Sequence, residues 1–426
     1  MDYQLVATIV ISLSVAIGYL NERFIQKESS IIIVLTTILI VIALYFLDAA
    51  ITTSEYLKTI DSMLNKVSFS DFLLSGILSF LLFAGSLHID LSMLKEKKSD
   101  IFILATLSTL ASTFIIAYAS HYLLIALNSE IPFLYCLLLG SLISPTDPIA
   151  VLSMLKELNA PKDVRTTIAG ESLFNDGIGI VVFITLYSLI NDESTAIDIT
   201  HVLLLFIRQV VGGITIGVIL GYFGYKMINS CQKNIPLCVM ISIWIVTAGY
   251  TICEHYLGVS APIAMVVSGI FIGNKGNTLS LPKAVNIELH QFWYIIDELL
   301  NSLLFLFVGL ECLLLGYEMA NNAILALLMI PIVLLARLIA VAIPISLLSQ
   351  YRQQPFNQYL VGLITWGGLR GGLSIALALS LPQTNERDII FCITYAVVIF
   401  SIVVQGLTIK PLFELSKKHL PTTHAQ

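Results

Sequence analysis

The chain has 426 residues, 57% hydrophobic and 12% charged, with a mean hydropathy of +0.91. Those values exclude a soluble domain and define a polytopic membrane protein, read as all-α from its apolar stretches of helical spanning length. The formal charge of −6 decides little, since in a membrane protein the placement of charge matters more than its sum. The six cysteines show no CxxC and no paired spacing and read as buried small hydrophobes, and no nucleotide loop or metal-ligand cluster occurs.

In chain order, stretches long enough to span (roughly 20 apolar residues) lie near 3–22, 30–48, 70–89, 100–126, 131–157, 168–190, 198–227, 234–256, 259–274, 290–315, 320–348, 357–381 and 388–413. That makes about 13 transmembrane helices. The first is full length and lacks a small-residue cleavage site, so it reads as a retained helix rather than a signal peptide. Placing the N-terminus outside puts sixteen Lys and Arg residues on the cytoplasmic side, from Arg23 and Lys27 to Lys417 and Lys418. Only Lys58, Lys66 and Arg387 then remain outside, while Arg208, Arg337 and Arg370 stay in the membrane. Because one missed helix would scramble the alternation, the bias supports both the odd count and an orientation with a cytoplasmic C-terminus.

Two segments are poor helices. In the fifth, "GSLISPTDPIAVL" (140–152), Pro145 and Pro148 each remove a backbone donor and push the preceding residue, Ser144 or Asp147, towards an extended conformation. Unwinding is expected near Thr146 and Asp147. In the twelfth, "GGLRGGLSIALAL" (367–379), four glycines flank Arg370. The two occupy equivalent positions in six-helix halves that an odd linking helix places in opposite orientations. Such interrupted pairs point to a transport site at the bilayer midplane. A single interrupted segment would mean little, since Pro and Gly are common in membrane helices.

Between them, "GESLFNDGIGIVVF" (170–183) presents a polar stripe on the sixth segment, with Ser172 and Asp176 four apart and Glu171 and Asn175 four apart beside them. Such a stripe must face protein or water. A desolvated Asp176 carboxylate is stabilised by a proton or by a hard monovalent cation such as Na+. Asp147, Thr146 and Ser172 can supply further oxygens. Gly177 and Gly179 are expected to let the unwound chain come close.

The phrases "SPTDPIAV", "GESLFNDGIGIVVF", "LLARLIAV" (334–341) and "WGGLRGGLSIALAL" (366–379) resemble, in order and spacing, the monovalent cation:proton antiporters of the NhaP type, relatives of the eukaryotic sodium/proton exchangers. The resemblance implies an NhaA-like antiporter fold of inverted six-helix repeats with crossed discontinuous helices, and a homodimer. It implies one transmembrane unit over 1–418, with a core of about 100–190 and 320–414, a dimerisation or scaffold part of about 1–90 and 198–315, and a short cytoplasmic tail at 419–426. By position, Asp176 is the shared cation and proton carboxylate, Asn175 its structural neighbour, and Asp147, Thr146 and Ser172 further ligands. Glu171 is expected to be neutralised by Arg337, and Arg370 to sit at the crossing and offset half-helix dipoles. An Asn rather than a second Asp at 175 implies electroneutral one-for-one exchange. One feature departs from the pattern: where relatives carry Glu in "LLFEA", this chain reads "LLFAGSLHID" with Ala84, so one candidate ligand is missing. The long regulatory tail of the eukaryotic relatives is expected to be absent.

No cofactor is expected. The partners are the transported monovalent cation (Na+, alternatively Li+ or K+), the proton and the bilayer of a cell membrane; no nucleic acid or nucleotide is expected. A cation channel of the same fold is an alternative, although a titrating buried carboxylate would be a needless barrier in it. An intramembrane aspartyl hydrolase using Asp147 and Asp176 would leave Asn175, Arg370 and the second broken segment without a role. Phe292, Trp293 and Tyr294 read as an interfacial aromatic belt. Asp297 and Glu298, just beyond, either line a cytoplasmic funnel or reach the interface. Glu254, His255, His88 and Glu311 fall at helix ends and read as solvated, and Arg208 has no obvious partner.

Overall fold

The computed structural model describes residues 3–50, 76–191, 199–278, 281–310, 316–353 and 355–416. Lys58, Lys66, Glu311, Cys312, Lys417, Lys418 and the 419–426 tail lie outside them. Among the described residues the chain is helical throughout, its only β contact being a single antiparallel bridge. The α-helices of eight residues or more are α1 (Tyr3–Leu20), α2 (Ser29–Ala50), α3 (Leu78–Leu87), α4 (Thr109–Ala126), α5 (Phe133–Ile143), α6 (Ile149–Glu157), α7 (Lys162–Asn191) and α8 (Ile199–Ser230), followed by α9 (Ile235–Thr251), α10 (Ala261–Thr278), α11 (Lys283–Leu310), α12 (Gly316–Tyr351), α13 (Gln358–Trp366), α14 (Gly372–Leu379), α15 (Asn385–Phe400) and α16 (Gly406–Ser416). Eight helical stretches among the described residues are long and apolar enough to cross a membrane. The fifth and twelfth expected segments are not among them, because each is broken, the former between α5 and α6 and the latter between α13 and α14.

Two groups of helices pack closely. In one, α10 lies against α8 and α3, and α11 against α2 and α3. Gly213, Gly217 and Gly221 repeat every four residues along α8, and a Cβ on any of them would collide with α10, at the Ser260 and Ala264 carbonyls and the Phe271 side chain. Small residues at that spacing let the two backbones approach, which is what drives helix pairing in lipid. In the other group α4 packs on α5 and α12, α12 on α15, and α5 on α7. The groups meet where α7 touches α8 and α10 and where α14 touches α11.

π-helical turns interrupt expected continuous helices at Leu104–Ser108 before α4 and at Ser401–Gln405 between α15 and α16, and others follow α1 and α9 at Asn21–Ile25 and Ile252–Leu257. Such turns commonly mark functional positions, because the extra residue re-aims the side chains that follow. The aromatic run also differs from the expected belt. Trp293 is fully buried, packs 4.7 Å from the Phe83 ring and donates from Nε1 to Ser242 Oγ at 2.9 Å, so it is a core residue whose one polar atom is satisfied.

Candidate functional site

The site is built where the two broken segments cross. α5 keeps its last turn closed through Ser144, which retains helical dihedrals (φ −68, ψ −38) despite the proline that follows; its N–H and its hydroxyl both donate to the Gly140 carbonyl, at 3.0 and 2.7 Å. The backbone extension expected at Ser144 is therefore absent and the break starts one residue later. Beyond it Asp147 pairs with Leu369 in the antiparallel bridge, its N–H donating to the Leu369 carbonyl at 2.8 Å. Its carboxylate accepts from the Ile149 N–H at 2.9 Å and so caps the start of α6.

The broken segments leave backbone groups that water cannot reach, and side chains from elsewhere satisfy them. Arg370 donates to the Ser144 and Pro145 carbonyls at 3.1 and 3.0 Å, placing a guanidinium at the negative end of the α5 dipole. Ser374 donates to the Leu142 carbonyl at 2.6 Å. The π turn at Ser401–Gln405 serves the other break: Ser401 accepts from the Arg370 N–H at 2.9 Å, and Gln405 donates to the Trp366 carbonyl at 2.9 Å. Sequence reasoning missed Ser374, Ser401 and Gln405. The one signal that could have found them was a glutamine inside the apolar run "SIVVQG".

Behind the crossing lies a buried network. Asn175 donates to Glu171 and to Thr146 Oγ1, both at 2.8 Å, and accepts from the Thr146 N–H at 3.2 Å. Thr146 and Ser172 share a hydroxyl hydrogen bond at 3.1 Å. Glu171 is gripped by Arg337, whose Nη2 donates to both carboxylate oxygens at 2.7 and 2.9 Å, with both residues about 1% exposed.

Asp176 is placed differently. It and Asp147 are half-buried and line a cavity of about 390 Å3 whose floor includes Pro145 and Gly371 and whose walls carry Asp297, Glu298, Asn301, Lys156, His88 and Tyr294. Thus, of the five oxygen-bearing residues expected to bind an ion, the two aspartates line the cavity, while Thr146, Ser172 and Asn175 are buried in the network behind it. Asp297 and Glu298 both belong to the cavity wall. A Cβ at Gly371 would overlap the Asp147 carboxylate, and one at Gly179 would overlap the Pro145 ring. Gly177, expected to serve the same approach, instead faces Ile263 of α10. Ala84 is buried in the core of α3. Arg208 gains a partner that its sequence did not reveal: it donates to the Leu257 carbonyl at 2.8 Å, beside the left-handed Gly258.

A larger cavity of about 830 Å3 lies among Lys97, Asp100, Asp163 and Arg352. Its charges neutralise one another, Lys97 with Asp163 at 3.3 Å and Arg352 with Asp100 at 2.7 Å, and the crossing does not border it. Among the described residues no cluster of three His, Cys, Asp or Glu suited to a resident metal occurs.

Known proteins bear on this geometry. The chain is 40% identical over 410 residues to the Na(+)/H(+) antiporter NhaP of Pseudomonas aeruginosa, covering 94% of each chain. It is 35% identical over 345 residues to the Na(+)/H(+) antiporter NhaH of Halobacillus dabanensis, covering 80% of this chain and 82% of that one. Its fold matches the solved sodium proton antiporter MjNhaP1 of Methanocaldococcus jannaschii with a TM-score of 0.70 at 19% identity, over 95% and 96% of the two chains. Residues 54–415 match the model of the family described as sodium/hydrogen exchanger, transmembrane. The crossed, broken helices with Asp147 and Asp176 between them are therefore carried by a chain that belongs to the sodium/hydrogen exchanger transmembrane family.

Proposed function

We propose that the protein is a secondary antiporter that exchanges Na+ for H+, one for one, by competition of the two for Asp176. The observation that carries this reading is the cavity in which Asp176 and Asp147 are half-exposed while Glu171, Asn175, Thr146 and Ser172 are hydrogen-bonded to one another or to Arg337. A cation entering it meets two carboxylates and can shed water against them; a proton binding Asp176 removes half of that attraction. The two states exclude each other, which couples the fluxes.

Asn175, Thr146 and Ser172 then hold the two carboxylates in register, and Thr146 and Ser172 offer hydroxyl oxygens if the network opens around an ion. Arg337 already takes both oxygens of Glu171, and Asn175 cannot carry a proton, so one proton moves per cation, on Asp176. We assign α4 to α7 and α12 to α16 to a mobile core, and α1 to α3 and α8 to α11 to a scaffold. Close packing within each group, with fewer contacts at α7–α8, α7–α10 and α11–α14, supports that division. We further propose a homodimer joined through the scaffold. Only 11% of the apolar window of Val202–Ser230 is buried within one chain. Placement in the cell membrane with the N-terminus outside follows the lysine and arginine bias, and the cavity then opens to the cytoplasm. The test is a proteoliposome assay with a pH-sensitive dye and a panel of Na+, Li+ and K+. Proton movement on addition of Na+ is expected, and none with any cation would overturn the reading.

A further inference from the structure

Next to the cation cavity lies a second one of about 360 Å3, between the end of α3, the end of α6 and the start of α7. Its lining carries Lys156, Lys162, Arg165, His88 and Thr166, and a single carboxylate, Asp90. Asp90 is committed elsewhere: its Oδ1 accepts from both the Ser92 N–H and the Ser92 hydroxyl. Among the described residues the ion pairs are Lys97–Asp163, Arg337–Glu171 and Arg352–Asp100, so none of these three cations has a carboxylate within 4.0 Å. The Nε of Arg165 is buried and has no hydrogen-bond acceptor. The contrast with the ion-paired cavity at Lys97 and Arg352 is direct. Lys156 and Lys162 are exposed and Arg165 is half-buried; a bias of lysine and arginine to one membrane face accounts for their number, but not for all three lining one concavity without an ion pair.

Cations lining one concavity repel and are drawn together by an anion placed among them, and a guanidinium with two ammonium groups suits a phosphate oxyanion in charge and donors. We propose that this cavity binds a phosphate-class oxyanion through Lys156, Lys162 and Arg165, and that its occupancy favours cation entry into the adjoining cavity. The second half rests on the antiport reading above. His88, Ile89, Leu152, Lys156 and Ala169 form a wall common to both cavities. Lys156 is the one lysine or arginine in the cation cavity, whose other formal charges are Asp147, Asp176, Asp297 and Glu298. Neutralising it restores a uniformly negative path, and such a path concentrates cations. The oxyanion can be the headgroup of an anionic phospholipid or free phosphate.

The test uses the purified full chain. Its melting is followed with inorganic phosphate against chloride at matched ionic strength, and in phosphatidylcholine vesicles with and without phosphatidylglycerol. Expected are a phosphate-specific rise in melting temperature, its loss in Lys162→Gln/Arg165→Gln, partial retention in Arg165→Lys, and a fall in the sodium KM at unchanged kcat when wild type is occupied. A rise with phosphatidylglycerol but not with phosphate also supports the site and assigns its ligand to the lipid. Equal melting of wild type in phosphate, phosphatidylglycerol and chloride overturns the proposal, whether or not the variants fold. Melting is read without transport, so a protein that binds phosphate but moves no protons would sink the antiport reading and leave the site standing.

Discussion

Glu171 and Asp176 stand on the same helix, just over one turn apart, and one helix gives them opposite surroundings. Glu171 points into a dry network where Arg337 takes both of its oxygens and Asn175 donates to one of them. Asp176 points into a cavity shared with Asp147. A carboxylate whose lone pairs are already filled by fixed donors is stable as an anion and has nothing to exchange. One that faces an open cavity without such donors must take its counter-charge from solution. On the proposed reading, the difference between a structural and a working acid lies in what faces the side chain, since the residue chemistry is nearly the same.

The largest expected effect tests that contrast at Asp176. Asp176→Asn keeps the volume but removes the group proposed to be contested by cation and proton, so sodium-driven proton movement in proteoliposomes should fall to background while detergent melting stays near wild type. Exchange retained in that variant would remove Asp176 from the mechanism. At Glu171 the roles reverse. Removing one partner of a buried pair costs about 3–5 kcal/mol because the other charge is left uncompensated, so Glu171→Ala and Arg337→Ala should each lower the melting temperature. The double variant should recover part of the loss. Single variants that melt with the parent would mean that the pair does not hold α7 against α12.

A smaller effect is expected at Gly371, whose missing side chain leaves room for the Asp147 carboxylate. Overpacking a filled site typically costs about 1–3 kcal/mol, so Gly371→Ala should raise the sodium KM or lower stability. Gly362→Ala, with no atom within 4 Å of the new methyl, should do neither and serves as the control. The smallest expected effect is that of voltage. If Glu171 is held ionised and Asp176 alone titrates, each cycle moves no net charge, and initial rates should be the same at zero and at large potassium-diffusion potentials. A second proton would couple exchange to about 2.3 kcal/mol per 100 mV for each charge moved. A steep dependence would therefore show that Glu171 or Asp147 titrates too.

The sequence by itself determined the class, the order of the helices and where two of them break. Hydrophobic length, proline and clustered glycine act locally, and a chain in lipid has few ways to satisfy its backbone. The "TDP", "ESLFND" and "GGLRGG" phrases likewise mark Asp147, Asp176 and Arg370. Tertiary structure decided who faces whom. Periodicity puts Ser172 and Asp176 on one face of α7, yet packing sends one into the network with Thr146 and the other into the cavity. Trp293 reads as an interfacial residue but is buried, because Phe83 and Ser242 arrive from helices far away in sequence. Ser401 and Gln405 reach the crossing from a π turn, which the sequence does not announce. The reason is common to all three: sequence spacing fixes the direction of a side chain relative to its own helix, whereas its dielectric surroundings and partners belong to whichever helix packs opposite.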